Sequence, residues 1–369
     1  MTVVVTLRSG AFLTGFRSML ACPKQQNRKR RGLIMAVMSE FGFQQFSIYE
    51  MFGPVPTPAF ETREELESGW GRNWGCDNDI GRLRAVLMHR PGPELNVVDA
   101  KKPLGFVEGY GDKEVGWYYN SNVPPNLPAI QAQHDALTKL LREEGVDVIL
   151  TDKAAPNRSK SVFTRDSAIG IKGGAIVTRL ARRVRRGEER PVTQALAAAG
   201  CPILHTIHGE GIFEGGGFAM INNKTAVCSV SVACNEEGVA QIESVLRTLG
   251  IELIKVYLSG YRIHIDGMFL MVDHDTALVN QDELPYWFIQ KLKAMKIRMI
   301  QLPPDESAFS LNCLAVAPGR ILMHTGITPR LADRLDQAGV TVIHVEYGAV
   351  ELGGGGIHCS TAPLQRDPI

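Results

Sequence analysis

No stretch of the chain approaches the ~18 consecutive apolar residues of a membrane-spanning helix, and its head lacks the apolar core and cleavage pattern of a secretory signal. The expectation is a cytoplasmic protein without membrane contact. Cysteine is sparse: Cys22, Cys76, Cys201, Cys228, Cys234, Cys313 and Cys359 are an odd number at irregular spacing. This argues against a disulfide framework and fits a reducing compartment. The chain has neither a P-loop nor a G-x-G-x-x-G turn. His264, Asp266 and Cys359, like His205, His208 and Glu210, lack a recognised metal-ligand spacing. No cofactor and no metal are therefore expected. Net charge is only +1, and residues 1–39 hold seven Lys/Arg and no acid, which leaves the rest mildly acidic at −6. Nucleic-acid binding is not expected, and the Arg28-Lys29-Arg30-Arg31 run reads as a solvated tail.

What is present is a soluble-enzyme composition of 369 residues, 44% hydrophobic. The organisation expected is a poorly ordered basic extension over 1–40, an aromatic and proline-containing lead-in over 41–74, and one catalytic domain over 75–369. The acid-poor head faintly resembles a transit peptide, and Met35 or Met38 could serve as alternative starts.

The most informative stretch is Gly353-Gly-Gly-Gly-Ile-His-Cys359, read as a loop directly after a core strand. Glycines allow close backbone approach and leave a sulfur unshielded, so Cys359 is the candidate nucleophile. A glycine-rich turn with an incidental cysteine is the plainer alternative, and the rest of the chain must decide.

That decision begins with an internal repeat. The strand pattern GVDVILT, GCPILHT, GIELIKV, KIRMIQL and GVTVIHV starts at Gly145, Gly200, Gly250, Lys296 and Gly339, spaced 55, 50, 46 and 43 residues apart. Helices are predicted over 128–144, 235–249, 283–295 and 328–338. In 235–249, Val239, Ile242, Val245, Leu246 and Leu249 follow an i, i+3, i+4 rhythm behind an Asn235 cap. Hairpin turns are predicted at Asn222-Asn223-Lys224, Asp273-His274-Asp275 and Pro318-Gly319-Arg320. The unit is strand, loop, hairpin, helix. A solenoid of five units would need polar capping repeats, which are not found, so closure into a five-bladed pseudo-symmetric α/β propeller is the expected fold. A doubly wound α/β sheet is the alternative.

The loop after each repeat strand is where polar residues collect: Phe163-Thr164-Arg165-Asp166, then Glu214-Gly-Gly-Gly217, then His264-Ile265-Asp266, then Ser307 and Asn312, then Cys359. In a closed ring these loops meet on the axis. A cysteine, a histidine and three carboxylates in one pocket suit attack by a thiolate on a planar cation. Two carboxylates, Asp166 and Asp266, can hold a guanidinium fork by paired hydrogen bonds and fix its carbon before the sulfur. His264 then protonates the leaving amine and later deprotonates the hydrolytic water, with Glu214 orienting it. Asn312 is assigned to substrate binding. Taken singly, Asp166 reads as an ion-pair partner of Arg165, Glu214 as a turn acid and His264 as a satisfied strand-end histidine.

Together these residues resemble the guanidino-group-modifying (pentein-type) enzymes, typified by arginine deiminase, with amidinotransferases and dimethylarginine hydrolases as relatives. The resemblance runs over residues 75–369. It rests on Asp79-Ile-Gly-Arg-Leu-Arg-Ala-Val-Leu-Met-His-Arg-Pro-Gly92, Phe163-Thr-Arg-Asp166, Arg186-Gly-Glu-Glu189, Glu214-Gly-Gly216, His264-Ile-Asp266, Glu351-Leu-Gly through Cys359, and Arg366-Asp-Pro-Ile369. It implies the five-fold propeller, nucleophile Cys359, acid/base His264, and guanidinium-binding Asp166 and Asp266. It also draws in Asp79 as a substrate-binding acid, and Arg185 or Arg186 as a substrate-binding arginine, with Arg182 and Arg183 leaving the register open.

Two departures bear on substrate. Arginine deiminases carry an arginine in the glycine-rich loop that helps bind the substrate carboxylate, whereas residues 353–356 are all glycine. The long helical insertion after the first repeat is also absent, replaced by a segment with Trp117, Tyr118 and Tyr119; Trp70 and Trp74 add aromatic surface upstream. The expected function is hydrolysis of a C–N bond at a C(N)₃ carbon through a covalent cysteine intermediate, on a small-molecule substrate other than free arginine. Hydrolytic denitration of a nitroimidazole, amidino transfer and non-catalytic small-molecule binding are the alternatives. A homo-oligomer is compatible with the sequence.

Overall fold

The computed structural model describes residues 58–105, 108–112 and 114–369. The expectations for residues 1–40, and for the first half of the 41–74 lead-in, lie outside the described residues. Helix α1 (Arg63–Trp70) is capped by Thr62, which accepts from the Glu65 amide. Strand β1 (Leu83–Met88) follows, then a short hairpin of β2 (Tyr110–Asp112) and β3 (Gly116–Tyr119), helix α2 (Leu127–Glu143), and β4 (Asp147–Leu150), which pairs parallel to β1.

From there one unit recurs: an antiparallel pair, a helix, and a third strand parallel to the second. The second unit is β5 (Ala168–Ile171), β6 (Gly174–Val177), α3 (Glu189–Ala198) and β7 (Ile203–Thr206). The third is β8 (Phe218–Asn222), β9 (Thr225–Val230), α4 (Glu236–Thr248) and β10 (Glu252–Tyr257). The fourth is β11 (Phe269–Asp273), β12 (Thr276–Val279), α5 (Tyr286–Ala294) and β13 (Arg298–Gln301). The fifth is β14 (Leu314–Ala317), β15 (Arg320–His324), α6 (Pro329–Gln337) and β16 (Thr341–Val345). After a short helix α7 (Gly348–Glu351), the last strand, β17 (Ala362–Arg366), returns to pair antiparallel with β1 and makes the first sheet three-stranded as well. The five three-stranded sheets therefore share one α/β plan, and the predicted hairpins and helices fall where expected within two or three residues.

Burial separates the strands by rank. The middle strands β6 and β12 are buried along their whole length, while the third strands, the repeat by which the units are recognised in sequence, keep exposed positions and form the outer edges. The strand before the glycine loop is therefore an edge strand and not a core strand, and α7 stands between it and Cys359.

The five repeat starts share a physical cause. Gly145, Gly200, Gly250 and Gly339 have φ of +83°, +75°, +70° and +78°, and Lys296 has +63°. Each donates its amide three residues back, and the following residue donates five residues back, as in Val146 to Leu141 and Ile297 to Leu292. This left-handed turn satisfies the last carbonyls of the preceding helix and aims the chain into the outer strand.

Short 3₁₀ turns precede the first strands at Thr164–Asp166, Gly215–Gly217, Ile265–Gly267 and Ala308–Leu311, and consecutive turns lie against one another. They bring the polar loops together.

Candidate active site

Cys359 is half-buried and held chiefly by one side chain. Asn312 Nδ2 donates to its Sγ at 3.0 Å, while Asn312 Oδ1 accepts from the Cys359 amide at 3.0 Å and the Gly356 amide at 3.1 Å. The glycines before it are a matter of space. A Cβ on Gly356 would stand 2.9 Å from Asn312 Oδ1, and one on Gly355 would stand 2.7 Å from the Phe163 ring and 3.0 Å from Cys359 Cβ. Burial pushes the thiol well above its usual range, with Asp266 and then Asp166 adding to the rise and Asn312 opposing it.

His264 is buried among the acids, with Nε2 3.0 Å from Glu214 Oε2 and 3.7 Å from Asp166 Oδ1, and Nδ1 4.0 Å from Asp266 Oδ1. Burial alone would hold the imidazole down. Asp166, Glu214 and Asp266 outweigh it and push His264 up to about 9, so the ring is a cation at neutral pH. Glu214 Oε1 accepts from the Ala181 amide at 3.0 Å, fixing the carboxylate that meets the ring. Gly216 has to be glycine here: a Cβ would lie 2.6 Å from His264 Nδ1 and 2.9 Å from Asp266 Oδ2.

The two acids expected to bind a guanidinium have different anchors. Asp166 Oδ2 accepts from Arg185 Nη1 at 2.6 Å and Oδ1 from the Gly216 amide at 3.1 Å. Burial opposes its charge, but His264 and Arg185 hold its carboxyl below the usual range. Asp266 Oδ2 takes the proton side of His358 Nδ1 at 2.9 Å. Burial and Arg165 lower His358 despite that acid. Cys359, His264, Glu214, Asp166 and Asp266 are thus gathered in one place from loops up to 193 residues apart.

The substrate-binding assignments land differently. Asn312 holds Cys359. Arg185 is buried, its donors taken by Asp166, by Glu188 at 2.8 and 3.1 Å, and by the Phe163 carbonyl at 3.3 Å, so its guanidinium supports Asp166 from behind. Arg186 gives Nε to the Leu180 carbonyl. Asp79 accepts from the Met220 amide at 2.7 Å and, with Arg165, His358 and Arg366, borders a small void of about 10 Å³ that does not include Cys359. Asp166 pairs with Arg185, not with its neighbour Arg165, whose amide donates to the Cys359 carbonyl at 3.0 Å.

Of the aromatics, Tyr119 lies against the glycine loop, 3.5 Å from a Cβ at Gly353, and bonds the Ala349 carbonyl at 3.2 Å. Trp117 stacks with Arg182 at 5.8 Å. Trp70 and Trp74 line a surface groove of about 910 Å³ that has none of the Cys359 set in its walls. Asp166, Glu214 and His264 offer ligand atoms within 4.8 Å of one another, a spacing open to a cation; Arg185 presents its guanidinium to those same carboxylates, 2.6 and 3.9 Å away. His205 bonds Gln241 at 3.0 Å.

Three further residues were not singled out in the sequence. His358 and Glu188 brace Asp266 and Arg185. Lys160, half-buried in the loop before Phe163, donates to the Gly353 carbonyl at 3.2 Å and to Asn120 Oδ1. Their signal was adjacency to the motifs, His358 to Cys359 and Lys160 to Phe163. Among the described residues, no helix is long and apolar enough to cross a membrane.

Comparison with known proteins gives the site its relatives. The family model described as N,N dimethylarginine dimethylhydrolase, eukaryotic, matches residues 125–366. An N(G),N(G)-dimethylarginine dimethylaminohydrolase of Pseudomonas aeruginosa is 25% identical over 64% of this chain and 88% of its own. An arginine deiminase of Rhodococcus opacus is 30% identical over 80% of this chain and 98% of its own. A 2-nitroimidazole nitrohydrolase of Mycobacterium sp. JS330 is 24% identical over 87% and 89%. Among solved structures, a dimethylarginine dimethylaminohydrolase adduct superposes with TM-score 0.60 at 22% identity, over 76% of this chain and 99% of that one. An amidinotransferase from Microseira wollei does so with TM-score 0.61 at 15% identity, over 80% and 98%. These two likenesses show a shared α/β fold.

Proposed function

Because the chain belongs to the dimethylarginine dimethylhydrolase family of guanidino-group-modifying enzymes, we propose that it hydrolyses a C–N bond at a carbon bearing three nitrogens, through a covalent intermediate on Cys359. In this reading the five sheets close into a five-bladed propeller around the site, with the strand pair β1–β17 as the closure. The observation that carries the proposal is the setting of the thiol: Sγ lies in the field of Asp166 and Asp266, each fixed by its own partner, and a cationic imidazole lies against the same two acids.

The chemistry follows from those charges. With the site empty, both acids disfavour the thiolate. A guanidinium between them neutralises that field, so the thiol proton leaves to solvent as substrate binds. Sulfur bonds the central carbon. His264 gives a proton to the departing nitrogen; Nδ1 serves, since Nε2 is turned to Glu214. The C–N bond breaks and leaves an S-alkylthiouronium. Water then gives a proton to the neutral His264 while its oxygen bonds the carbon; the C–S bond breaks to restore the thiolate, and the second water proton leaves to solvent as the carbonyl forms. Glu214 and Asp166 keep the imidazolium stable between the two proton transfers.

A second reading, hydrolytic denitration, is favoured by the nitroimidazole-hydrolysing relative that spans most of the chain and by the glycine loop that carries no arginine. C2 of a 2-nitroimidazole also bears three nitrogens, and nitrite needs no proton to leave.

The test is mass spectrometry of protein quenched during turnover on guanidines and nitroazoles, with ammonia, urea and nitrite measured together. A substrate-specific mass on the Cys359 peptide, absent in Cys359→Ser, is expected. Turnover retained above a few per cent in Cys359→Ser overturns the proposal.

A further inference from the structure

We propose that Lys160 selects the substrate, its ammonium group receiving a carboxylate carried on a short arm from the C(N)₃ carbon. The inference rests on the function proposed above and names its substrate class: small guanidino acids.

The placement comes first. The Phe163 amide donates to the Lys160 carbonyl at 3.0 Å, so the two residues belong to one tight turn. The Phe163 ring covers Gly355, whose missing side chain would also meet Cys359. From the same turn, Lys160 Nζ reaches the Gly353 carbonyl and Asn120 Oδ1, on the rim of the loop that carries the nucleophile. An ammonium has three donors, and these contacts use two. The third remains for a ligand.

Four arginines are engaged elsewhere. Arg185 is spent on Asp166 and Glu188, Arg186 is turned to the Leu180 carbonyl, Arg182 is stacked on Trp117, and Arg262 pairs with Glu283 at 2.5 Å. Lys160 therefore stands where the all-glycine loop carries no cation of its own. Burial, with Arg185 next, brings Lys160 down to about 8 while Glu188 and Glu214 oppose the fall. An arriving carboxylate thus meets a cation short of solvation, where a charge-assisted bond is strongest. An α-ammonium beside that carboxylate would be repelled. Free arginine therefore binds less well than a guanidino acid without an amino group.

The experiment compares guanidinoacetate, 3-guanidinopropionate, methylguanidine, agmatine and arginine with the parent, Lys160→Met and Lys160→Arg. The parent should prefer the two acids. Lys160→Met should lower the acid-to-methylguanidine ratio of kcat/KM by on the order of 10- to 150-fold, mainly through KM, and Lys160→Arg should restore most of it. A lysine that only staples the loop would instead lower kcat alike for every compound, and that result overturns the proposal, as does a parent that prefers agmatine. Binding to Cys359→Ser, with and without Lys160→Met, is measured by calorimetry as a readout free of turnover. If the parent turns nothing over yet the acids bind in a Lys160-dependent way, the Lys160 assignment stands and the hydrolase reading falls. If the acids bind neither protein, Lys160 is not an anion site.

Discussion

The Asn312 amide grips Cys359 at two points, donating from Nδ2 to the sulfur at 3.0 Å and accepting at Oδ1 from the Cys359 amide at 3.0 Å. One side chain thus sets the place of Cys359 and opposes the rise in its pKa. Asn312→Asp keeps the acceptor and replaces the donor by a charge facing sulfur. At pH 7 its rate of Cys359 alkylation by iodoacetamide should fall at least ~10-fold, a little over one pKa unit of thiolate lost. An unchanged alkylation profile against pH would remove Asn312 from this role.

His264 should leave a signature in stability. Its pKa is raised to about 9 in the folded protein from an ordinary 6.5, so the native state holds a proton that the unfolded chain gives up first. The contribution is full below pH ~6.5 and is lost as pH rises through about 9. The difference in urea midpoint between the parent and His264→Asn should therefore shrink from pH 6 to pH 9.5. A difference that is flat, or that grows, across this window would contradict the ion cluster described for Asp166, Glu214 and Asp266.

Gly216→Ala puts a methyl where His264 Nδ1 and Asp266 Oδ2 now lie within 2.9 Å. Both groups have to move, and neither is the free end of a long chain. Turnover should drop by about 10²-fold, the loss expected when reacting groups are displaced by about 1 Å, with a stability loss of roughly 1–3 kcal/mol. Steady-state kinetics beside a urea melt separate the two effects.

Lys296 is the one repeat start that is not glycine, yet it takes the same left-handed turn at φ +63°. Lys296→Gly removes the strain of a Cβ in that region, partly offset by the greater freedom of glycine in the unfolded chain. A gain of about 0.5–1 kcal/mol by denaturant unfolding is expected, with no change in kinetics. A loss would show that the Lys296 side chain supplies more than its backbone costs.

The repeat was legible in sequence because the same local device recurs: a helix, a left-handed residue and a β-branched strand. Its phase within the sheet was not, since the strand that repeats most clearly is the outer edge, while middle strands such as Gly174–Val177 are too short and uniformly apolar to show a period. The candidate set was legible because glycine, histidine, acid and cysteine cluster in loops at matching places in each unit. The charge pairing inside it was hidden. Asp166 follows Arg165 in the chain, but consecutive residues of a 3₁₀ turn point about 120° apart, so the acid faces Arg185 and not its neighbour. Lys160 went unnoticed for a related reason, since a lysine among serines reads as surface until the distant Gly353 loop arrives beside it.

The pairing of Leu83–Met88 with Ala362–Arg366 ties construction of the molecule to the order in which it is synthesised. Cys359 lies three residues before the strand that finishes the first sheet. A ribosome that has released the four other three-stranded sheets therefore still holds a protein without Cys359 in place. A nascent chain stopped short of residue 359 leaves the edge of β1 bare and Asp166 and Asp266 without the Cys359 thiol. On the reading of Cys359 proposed above, chemistry begins only after translation has passed this point, and a truncated transcript would yield an adhesive fragment.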